Sequence, residues 1–143
     1  MKAVLLPGHA EVVVVDRPTP TPGPTDVLVR IGASALCRSD MSLYDGVPVV
    51  GGGSAPGTVV PGHEVAGSVA AIGGQVTDLA VGDRVAIYLA LGCGRCPACR
   101  RGYLMLCPTW RCLGFDVDCG DAEFAVVPAA NCLPIPDTMS YEV

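Results

Sequence analysis

The chain has 143 residues, which is enough for one domain with a single core and too few for two full domains. Half of the residues are apolar and 16% are charged, which excludes disorder caused by weak hydrophobicity. The net charge is −5 and the nine basic residues are scattered, so a nucleic-acid surface is not expected. The N-terminal apolar stretch is too short for a signal-peptide core, and no apolar run approaches the length of a membrane helix. We therefore expect a cytoplasmic chain that makes no membrane contact.

Glycine and proline, with 18 and 13 residues, indicate many turns between short strands rather than long helices. The chain begins with a predicted hairpin that turns at Pro7–His9, and a stiff proline-rich connector follows at Arg17–Pro24. The predicted strands, in chain order, cover residues 2–6, 11–16, 26–33, 63–72, 84–89, 122–127 and 131–135. This spacing is typical of a β-barrel or a β-sandwich, so we predict a mainly β fold.

Few helical segments are expected. Cys37–Leu43 contains no β-branched residue and favours one or two helical turns, whereas Gly51–Gly57 is predicted to be a flexible loop. Asp137–Val143 offers capping residues and a glutamate suited to the first turn of a helix. Because that helix would start with no room to continue, the sequence suggests that the chain has been cut from a longer one.

The strongest chemical signal is a cysteine-rich lobe at about residues 92–108. Its cysteines are Cys93, Cys96, Cys99 and Cys107. Four thiolates so close in sequence can fill every position of one tetrahedral zinc, which makes the site structural because no position remains for substrate. Two disulfides and an iron centre of similar spacing are the alternatives. Zinc is favoured because a reducing cytosol opposes disulfides and iron–sulfur sites usually use other spacings.

Two further signals are weaker when each is taken alone. His63 lies in Gly62-His63-Glu64, beside a carboxylate and close to Gly67, although a lone histidine is more often structural than a metal ligand. Cys37-Arg38-Ser39-Asp40 places a thiol, a cation, a hydroxyl and a carboxylate together, although a buried free cysteine is the simpler explanation. The spare cysteines are expected to be packing residues; they are Cys112, Cys119 and Cys132.

Taken together and in order, these motifs resemble the zinc-containing medium-chain alcohol dehydrogenases, specifically their GroES-like N-terminal catalytic domain. The resemblance covers residues 1–143 as one domain. Gly62–Ser68 is similar to the G-H-E signature of the family, Val81–Val85 to its V-G-D-R-V turn, and the four-cysteine lobe to its structural zinc lobe. The resemblance implies a partly open β-barrel that carries the structural zinc lobe and a few short helices.

The resemblance also implies a second, catalytic zinc. Cys37 and His63 would be two of its ligands, and Glu64 would approach the metal as an outer or exchanging ligand. Ser39 would take the proton of the alcohol, and Asp40 would fix the tautomer and orientation of the imidazole.

The implied reaction is oxidation of an alcohol or polyol, or reduction of the carbonyl, by hydride transfer with NAD or NADP. Arg38 occupies a position where members of the family place a cation for the cofactor pyrophosphate. Gly51–Gly53 precedes no helix and follows no βαβ strand, so this chain carries no Rossmann fingerprint. We therefore expect the chain alone to be inactive. Asp118–Glu123 occupies a position where members of the family usually carry a Gly-rich, less acidic segment, and the sequence gives no account of Cys119 within it.

Two functions of different class remain open. In the first, the chain is the catalytic domain of an enzyme for a small-molecule alcohol or carbonyl, in a homo-oligomer or with a separate Rossmann-containing partner. In the second, it is a free-standing zinc-binding GroES-like module that acts in assembly or partner binding. The first is favoured by the retained residues of Cys37–Asp40 and His63–Glu64, since a structural module does not need an open metal site.

Overall fold

Nine strands and two short helices form the regular structure of residues 1–47 and 53–142, the part of the chain described by the computed structural model. The first strands and the first helix are β1 Lys2–Gly8, β2 Glu11–Asp16, β3 Asp26–Ala35 and α1 Asp40–Asp45. The central strands are β4 Glu64–Ile72, β5 Arg84–Ile87 and β6 Ala90–Leu91, followed by α2 Pro97–Arg100. The last strands are β7 Arg111–Cys112, β8 Phe124–Pro128 and β9 Cys132–Pro134. Single 3₁₀ turns cover Leu104–Leu106 and Ala129–Asn131.

A five-stranded antiparallel sheet in the order β8-β3-β4-β5-β9 forms the main core. Alternate residues of β3 face inward, so Val27 and Val29 are fully buried. Arg30, the next residue along the strand, is exposed. Val85 on β5 and Val127 on β8 complete the same buried layer. The described strands do not close a barrel, and the prediction of a mainly β, partly open fold with few helices is confirmed.

The β1–β2 hairpin is attached to the main sheet at one place. Ala3 forms an isolated antiparallel bridge with Ala122, and the Val4 amide donates to the Asp121 carbonyl at 2.8 Å. The hairpin turns through His9 and Ala10, both in the left-handed region with φ of 57° and 60°. The turn lies slightly later than predicted, because β1 continues to Gly8.

A second apolar cluster packs α1 against the hairpin. Its buried members are Leu6, Leu43, Cys112 and Phe115. The partly buried rings of Tyr44 and Trp110 pack against them. This cluster therefore fixes α1, the element that follows Cys37, relative to the rest of the fold.

The helix predicted at Asp137–Val143 does not form in residues 137–142, which lie in turns, and that prediction is wrong. The Arg84 guanidinium donates to the carbonyls of Pro136 and Asp137 at 2.8 and 2.9 Å and lies 4.2 Å from the centre of the Tyr141 ring. These carbonyls therefore bind arginine instead of the amides of a following helical turn. A short isolated helix would also be marginal without tertiary packing.

Two other boundaries differ from the sequence-based expectation. The strand predicted over residues 84–89 ends at Ile87, because the Asn131 side chain donates to the carbonyls of Tyr88 and Ala90 at 2.7 and 2.8 Å. The loop predicted at Gly51–Gly57 lies partly outside the described residues. None of the helices in the described part of the chain is long and apolar enough to cross a membrane.

Candidate metal centres

One cluster of possible ligands forms where β3 ends and β4 begins. Ala35 pairs with Glu64 in the antiparallel register, so the loop after β3 and the residue before β4 meet at one edge of the sheet. Cys37 lies in that loop and His63 immediately precedes β4. The ligand atoms of Cys37, His63 and Glu64 all lie within 4.8 Å of one another. The structure thus brings Cys37 next to His63 and Glu64, which are neighbours in the sequence but distant from Cys37.

Ser39 and Asp40 hold this cluster from two sides. The Ser39 hydroxyl lies 3.2 Å from both the Cys37 Sγ and the His63 Nε2. The Cys37 amide donates to Asp40 Oδ2 at 2.9 Å, and Asp40 Oδ1 lies 3.4 Å from His63 Nδ1. His63 and Asp40 are only 6% and 4% exposed. Among the described residues, Asp40 Oδ1 and His63 Nδ1 have no other hydrogen-bond partner. The imidazole therefore turns Nδ1 toward the carboxylate and Nε2 toward the thiol.

The local electrostatics suit a bound cation. The Ser39 hydroxyl lowers the pKa of the Cys37 thiol, which favours the thiolate that binds metals. The Asp40 carboxylate raises the pKa of His63 to about 9, and burial opposes this shift. A metal ligand must be neutral imidazole, so metal binding here would release the proton that Asp40 stabilises. The Phe115 ring, with its centre 4.9 Å from that of His63, covers the imidazole.

Gly62 sets the position of His63 through close backbone packing. Its φ is +86°, and a Cβ here would lie 2.7 Å from the Asp121 amide nitrogen and 2.7 Å from the Ser34 hydroxyl. The Asp121 amide donates to the Pro61 carbonyl at 2.9 Å, and the Gly120 amide donates to Gly62 at 3.1 Å. Residues 119–121 therefore run against the segment that leads into His63.

The acidic segment Asp118–Glu123, where the sequence departs from the family pattern, has structural partners here. Asp118 accepts hydrogen bonds from the Val60 amide at 2.8 Å and from the Arg17 guanidinium at 2.9 Å. Asp121 accepts one from the Ser34 hydroxyl at 2.7 Å, and partial burial raises the pKa of its carboxyl. The sequence signal was the unusual acidity of Asp118–Glu123, but only the fold places that segment beside the metal cluster.

The four-cysteine lobe forms a second cluster. The Sγ atoms of Cys93, Cys96, Cys99 and Cys107 lie within 4.8 Å of one another. Backbone amides donate to two of them at 3.4 Å, from Cys93 to the Cys107 sulfur and from Cys99 to the Cys96 sulfur. Hydrogen bonds from the Cys93 amide and the Thr109 hydroxyl lower the pKa of Cys107. These hydrogen bonds favour the thiolate form of Cys107, whereas burial raises the pKa of Cys99 to about 11.

The geometry of the lobe fits zinc better than disulfides. All eight cysteines lie in the described residues and are free, and the Cys93 and Cys99 sulfurs are 4.0 Å apart, against about 2.05 Å in a disulfide. A Cβ at Gly92 would lie 2.6 Å from the Cys99 sulfur, so a glycine there lets the chain wrap closely around the sulfurs. Four thiolates are a ligand set of structural zinc, and thiolate, imidazole and carboxylate are ligand types of catalytic zinc.

The remaining predicted residues lie outside both clusters. Arg38 is exposed and borders a separate cavity beside α1 that Ser42 and Asp45 also line. The spare cysteines are buried in apolar clusters, as expected for packing residues; they are Cys112, Cys119 and Cys132. Burial raises the pKa of the Cys119 thiol to about 12.

The chain belongs to the family of the zinc-type alcohol dehydrogenases, because residues 23–137 match its alcohol dehydrogenase GroES-like domain. Among individual relatives, the chain is 39% identical over 137 residues to L-threonine 3-dehydrogenase from Pyrococcus horikoshii. That alignment covers 95% of this chain and 38% of the relative. The chain therefore spans well under half the length of the relatives it matches.

Solved structures agree with this assignment. The crystal structure of an NAD-dependent alcohol dehydrogenase superposes with a TM-score of 0.89 at 37% identity, covering 99% of this chain and 41% of that one. A zinc-binding dehydrogenase from Sinorhizobium meliloti 1021, solved with NADP bound, gives a TM-score of 0.84 at 36% identity. This second match covers 98% of this chain and 40% of that one. Relatives of the same fold thus include both an NAD-dependent and an NADP-bound protein.

Proposed function

We propose that the chain is the catalytic domain of a zinc-dependent oxidoreductase that interconverts a small-molecule alcohol or polyol and its carbonyl compound, with NAD or NADP as hydride acceptor or donor. The observation that carries the proposal is the cluster of Cys37, His63 and Glu64, whose ligand atoms lie within 4.8 Å. Such a set leaves a coordination position for a substrate oxygen, which a structural four-thiolate site does not. The cofactor would be bound by a Rossmann domain outside these 143 residues.

The donor set fits zinc, with Cys37 and His63 as ligands and Glu64 as an outer or exchanging ligand. Bound there, zinc would act as a Lewis acid that lowers the pKa of an alcohol. Asp40 holds the His63 ring with Nδ1 directed at its carboxylate, which leaves Nε2 for the cluster. The Ser39 hydroxyl faces Cys37 and His63 at 3.2 Å, so it can accept the proton that the alcohol loses.

The nicotinamide and Ser39 together account for the hydride and the proton that the alcohol loses. The alcohol carbon loses a hydride to NAD⁺ or NADP⁺, and the alcohol oxygen gives its proton to the Ser39 Oγ while the Ser39 hydroxyl passes its own proton to water, so that the carbon–oxygen bond becomes a carbonyl. In the reverse direction Ser39 returns the proton. Arg38, exposed beside α1, would pair with a cofactor phosphate approaching that face. The names of the relatives include threonine and alcohol dehydrogenases, so a hydroxyl-bearing substrate is the common feature.

The second candidate is a zinc-binding module without catalysis, used in assembly or partner binding. It is favoured by the exposed apolar side chains of the lobe, since Tyr103 and Leu106 are 62% and 72% exposed. The two functions differ in the metal centre that each requires. A binding module needs only the four-thiolate lobe, whereas the dehydrogenase needs an open second site.

Metal stoichiometry during stepwise chelation separates the two. For the dehydrogenase we expect one tightly held zinc in the lobe and a weaker zinc at Cys37 and His63. Cys37→Ala should lose only the weak one, and Cys99→Ser, the matched control, should destroy the tight site. Wild-type chain holding one zinc that Cys37→Ala leaves unchanged would favour the module.

Cobalt substitution tests whether the second site is open. Azide or a simple alcohol should change the visible spectrum of the cobalt-loaded wild type, because an open position admits an outside ligand. The same ligand should leave the spectrum of cobalt-loaded Cys37→Ala unchanged, since only the closed lobe remains. A wild-type spectrum insensitive to added ligands would contradict an open site.

A further inference from the structure

The segment that leads into His63 is irregular and takes its position from a neighbouring segment. Residues 60–62 precede β4 and belong to no strand or helix. Their three carbonyls accept hydrogen bonds from the consecutive amides of residues 119–121, at 3.0, 3.1 and 2.9 Å. The nitrogen of Pro61 cannot donate and Gly62 has a positive φ, so these residues cannot continue the ladder of β4. The direction in which the chain enters His63 is therefore set by residues 119–121.

Asp121, the last of these donors, is also bound to two strands. Its carbonyl accepts from the Val4 amide of β1 at 2.8 Å, and its carboxylate accepts from the Ser34 hydroxyl of β3 at 2.7 Å. The carboxylate lies directly against the backbone that it helps to place, because a Cβ at Gly62 would overlap Asp121 Oδ1 and lie 2.7 Å from the Ser34 hydroxyl. One residue thus joins the hairpin, the main sheet and the segment before His63.

The Ser34–Asp121 hydrogen bond is the part of this junction that depends on side chains. Hydrogen bonds to charged groups are stronger than neutral ones, and the partial burial of the Asp121 carboxylate makes the loss of its donor costly. Its second oxygen is not a buried atom without a partner; among the described residues those atoms are Asp40 Oδ1 and His63 Nδ1. Asparagine at this position can therefore keep the bond to Ser34 without burying an unpaired amide.

We propose that Asp121 is a positioning residue for the metal cluster: with Ser34 it holds the chain that enters His63, and so fixes that ring opposite Cys37. The inference deepens the proposed function and rests on it, because it concerns the same metal site. Asp121 is not one of the possible ligands of the cluster and acts only through the backbone. Without the bond to Ser34, the imidazole would sample a wider range of positions and the cluster would bind metal more weakly.

Amide hydrogen exchange, followed by NMR in the zinc-loaded 143-residue chain, tests the junction itself. In Ser34→Ala and Asp121→Ala, the Gly120 amide should exchange about tenfold faster relative to the amides of the main sheet, because it donates across the junction. Asp121→Asn should keep the wild-type rate. Asp83→Ala is the matched control, since it removes a carboxylate that accepts a 2.8 Å hydrogen bond in the turn before β5, and it should leave Gly120 unchanged.

Cobalt binding tests the consequence for the metal cluster. Loss of a group that orients a metal ligand costs about 10–100-fold in affinity, and Asp121 acts at one further remove, so we expect about tenfold weaker binding at the second site in Asp121→Ala and Ser34→Ala. The double variant should lose no more than either single variant, because the two side chains act as one pair. The visible spectrum of the second cobalt reports ligand geometry, so it should change in both alanine variants but not in Asp121→Asn or Asp83→Ala.

The possible failures are distinguishable. Unchanged exchange at Gly120 in both alanine variants, with a normal second cobalt, would overturn the inference alone. Equal losses in Asp121→Asn and Asp121→Ala would assign the effect to charge and would also overturn it. Ser34→Ala leaves the carboxylate in place and provides the test if Asp121→Ala does not fold. A wild-type chain that binds no second cobalt would refute the proposed function, and the inference with it.

Discussion

Gly62→Ala is expected to damage both the fold and the cluster of Cys37, His63 and Glu64. The backbone at Gly62 has φ of +86°, a conformation that costs an L-residue about 1–2 kcal/mol. The new methyl would also lie 2.7 Å from the Asp121 amide nitrogen, which cannot retreat easily because it donates to Pro61. Overpacking of this kind costs about 1–3 kcal/mol. The total loss in free energy of unfolding is therefore about 2–5 kcal/mol.

Two other glycines separate these contributions. Gly82 has φ of +99° but open space where a Cβ would point, so Gly82→Ala should cost only the backbone strain of about 1–2 kcal/mol. Gly74 has open space and no positive φ, and Gly74→Ala should change stability by less than about 0.5 kcal/mol. The order of damage is therefore Gly62→Ala, then Gly82→Ala, then Gly74→Ala.

Urea unfolding of the three zinc-loaded variants measures this order. The urea concentration at the midpoint of unfolding should fall in that order, while the dependence of the free energy of unfolding on urea concentration stays the same. Cobalt titration of the Cys37 and His63 site should in addition show weaker binding in Gly62→Ala alone, because only this substitution pushes on the residue before His63. If Gly62→Ala unfolds at the same midpoint as Gly82→Ala, the close approach to Asp121 does not constrain the fold. The account of how His63 is positioned would then be refuted.

Cys99→Ser should release about one zinc per chain and lower the melting temperature substantially, because no residue of the lobe belongs to either buried apolar cluster, which leaves little packing to hold it without metal. Metal analysis with differential scanning calorimetry measures both effects, and an unchanged zinc content would contradict the lobe assignment. Cys119 should resist iodoacetamide in the folded protein, since the thiol is 1% exposed and burial raises its pKa to about 12. Mass spectrometry should find it alkylated in urea; labelling equally fast without urea would show that this part of the core opens readily.

Local sequence chemistry predicted the lobe and most of the strands correctly. The four cysteines lie within 15 residues of chain, so their convergence requires only a tight loop with small residues such as Gly92. The strand Asp26–Ala35 was predictable because alternating apolar residues mark its buried face. Where the determinants of structure were near in sequence, they could be recognised without coordinates.

Long-range contacts account for the elements that were missed. The tail after Pro136 has good helix-capping residues, but the Arg84 guanidinium, more than 50 positions earlier, takes its carbonyls. The end of β5 depends on Asn131, and the short pairing of Ala90–Leu91 with Arg111–Cys112 closes the base of the lobe. Similarly, the position of Asp121 beside Gly62 follows from the strand arrangement and not from any motif. Such partners become visible only when the chain is folded.

The single tryptophan occupies a place that makes it a natural optical probe. Its amide donates to the carbonyl of Cys107, one of the four cysteines of the lobe, at 3.0 Å, while its ring packs in the cluster that contains Phe115. Phe115 in turn covers the ring of His63. Trp110 is thus bonded to one cysteine cluster and packs in the apolar cluster that holds Phe115, which covers His63 of the other. Fluorescence of Trp110 can therefore follow the assembly of the whole metal-binding half of the domain without any attached dye.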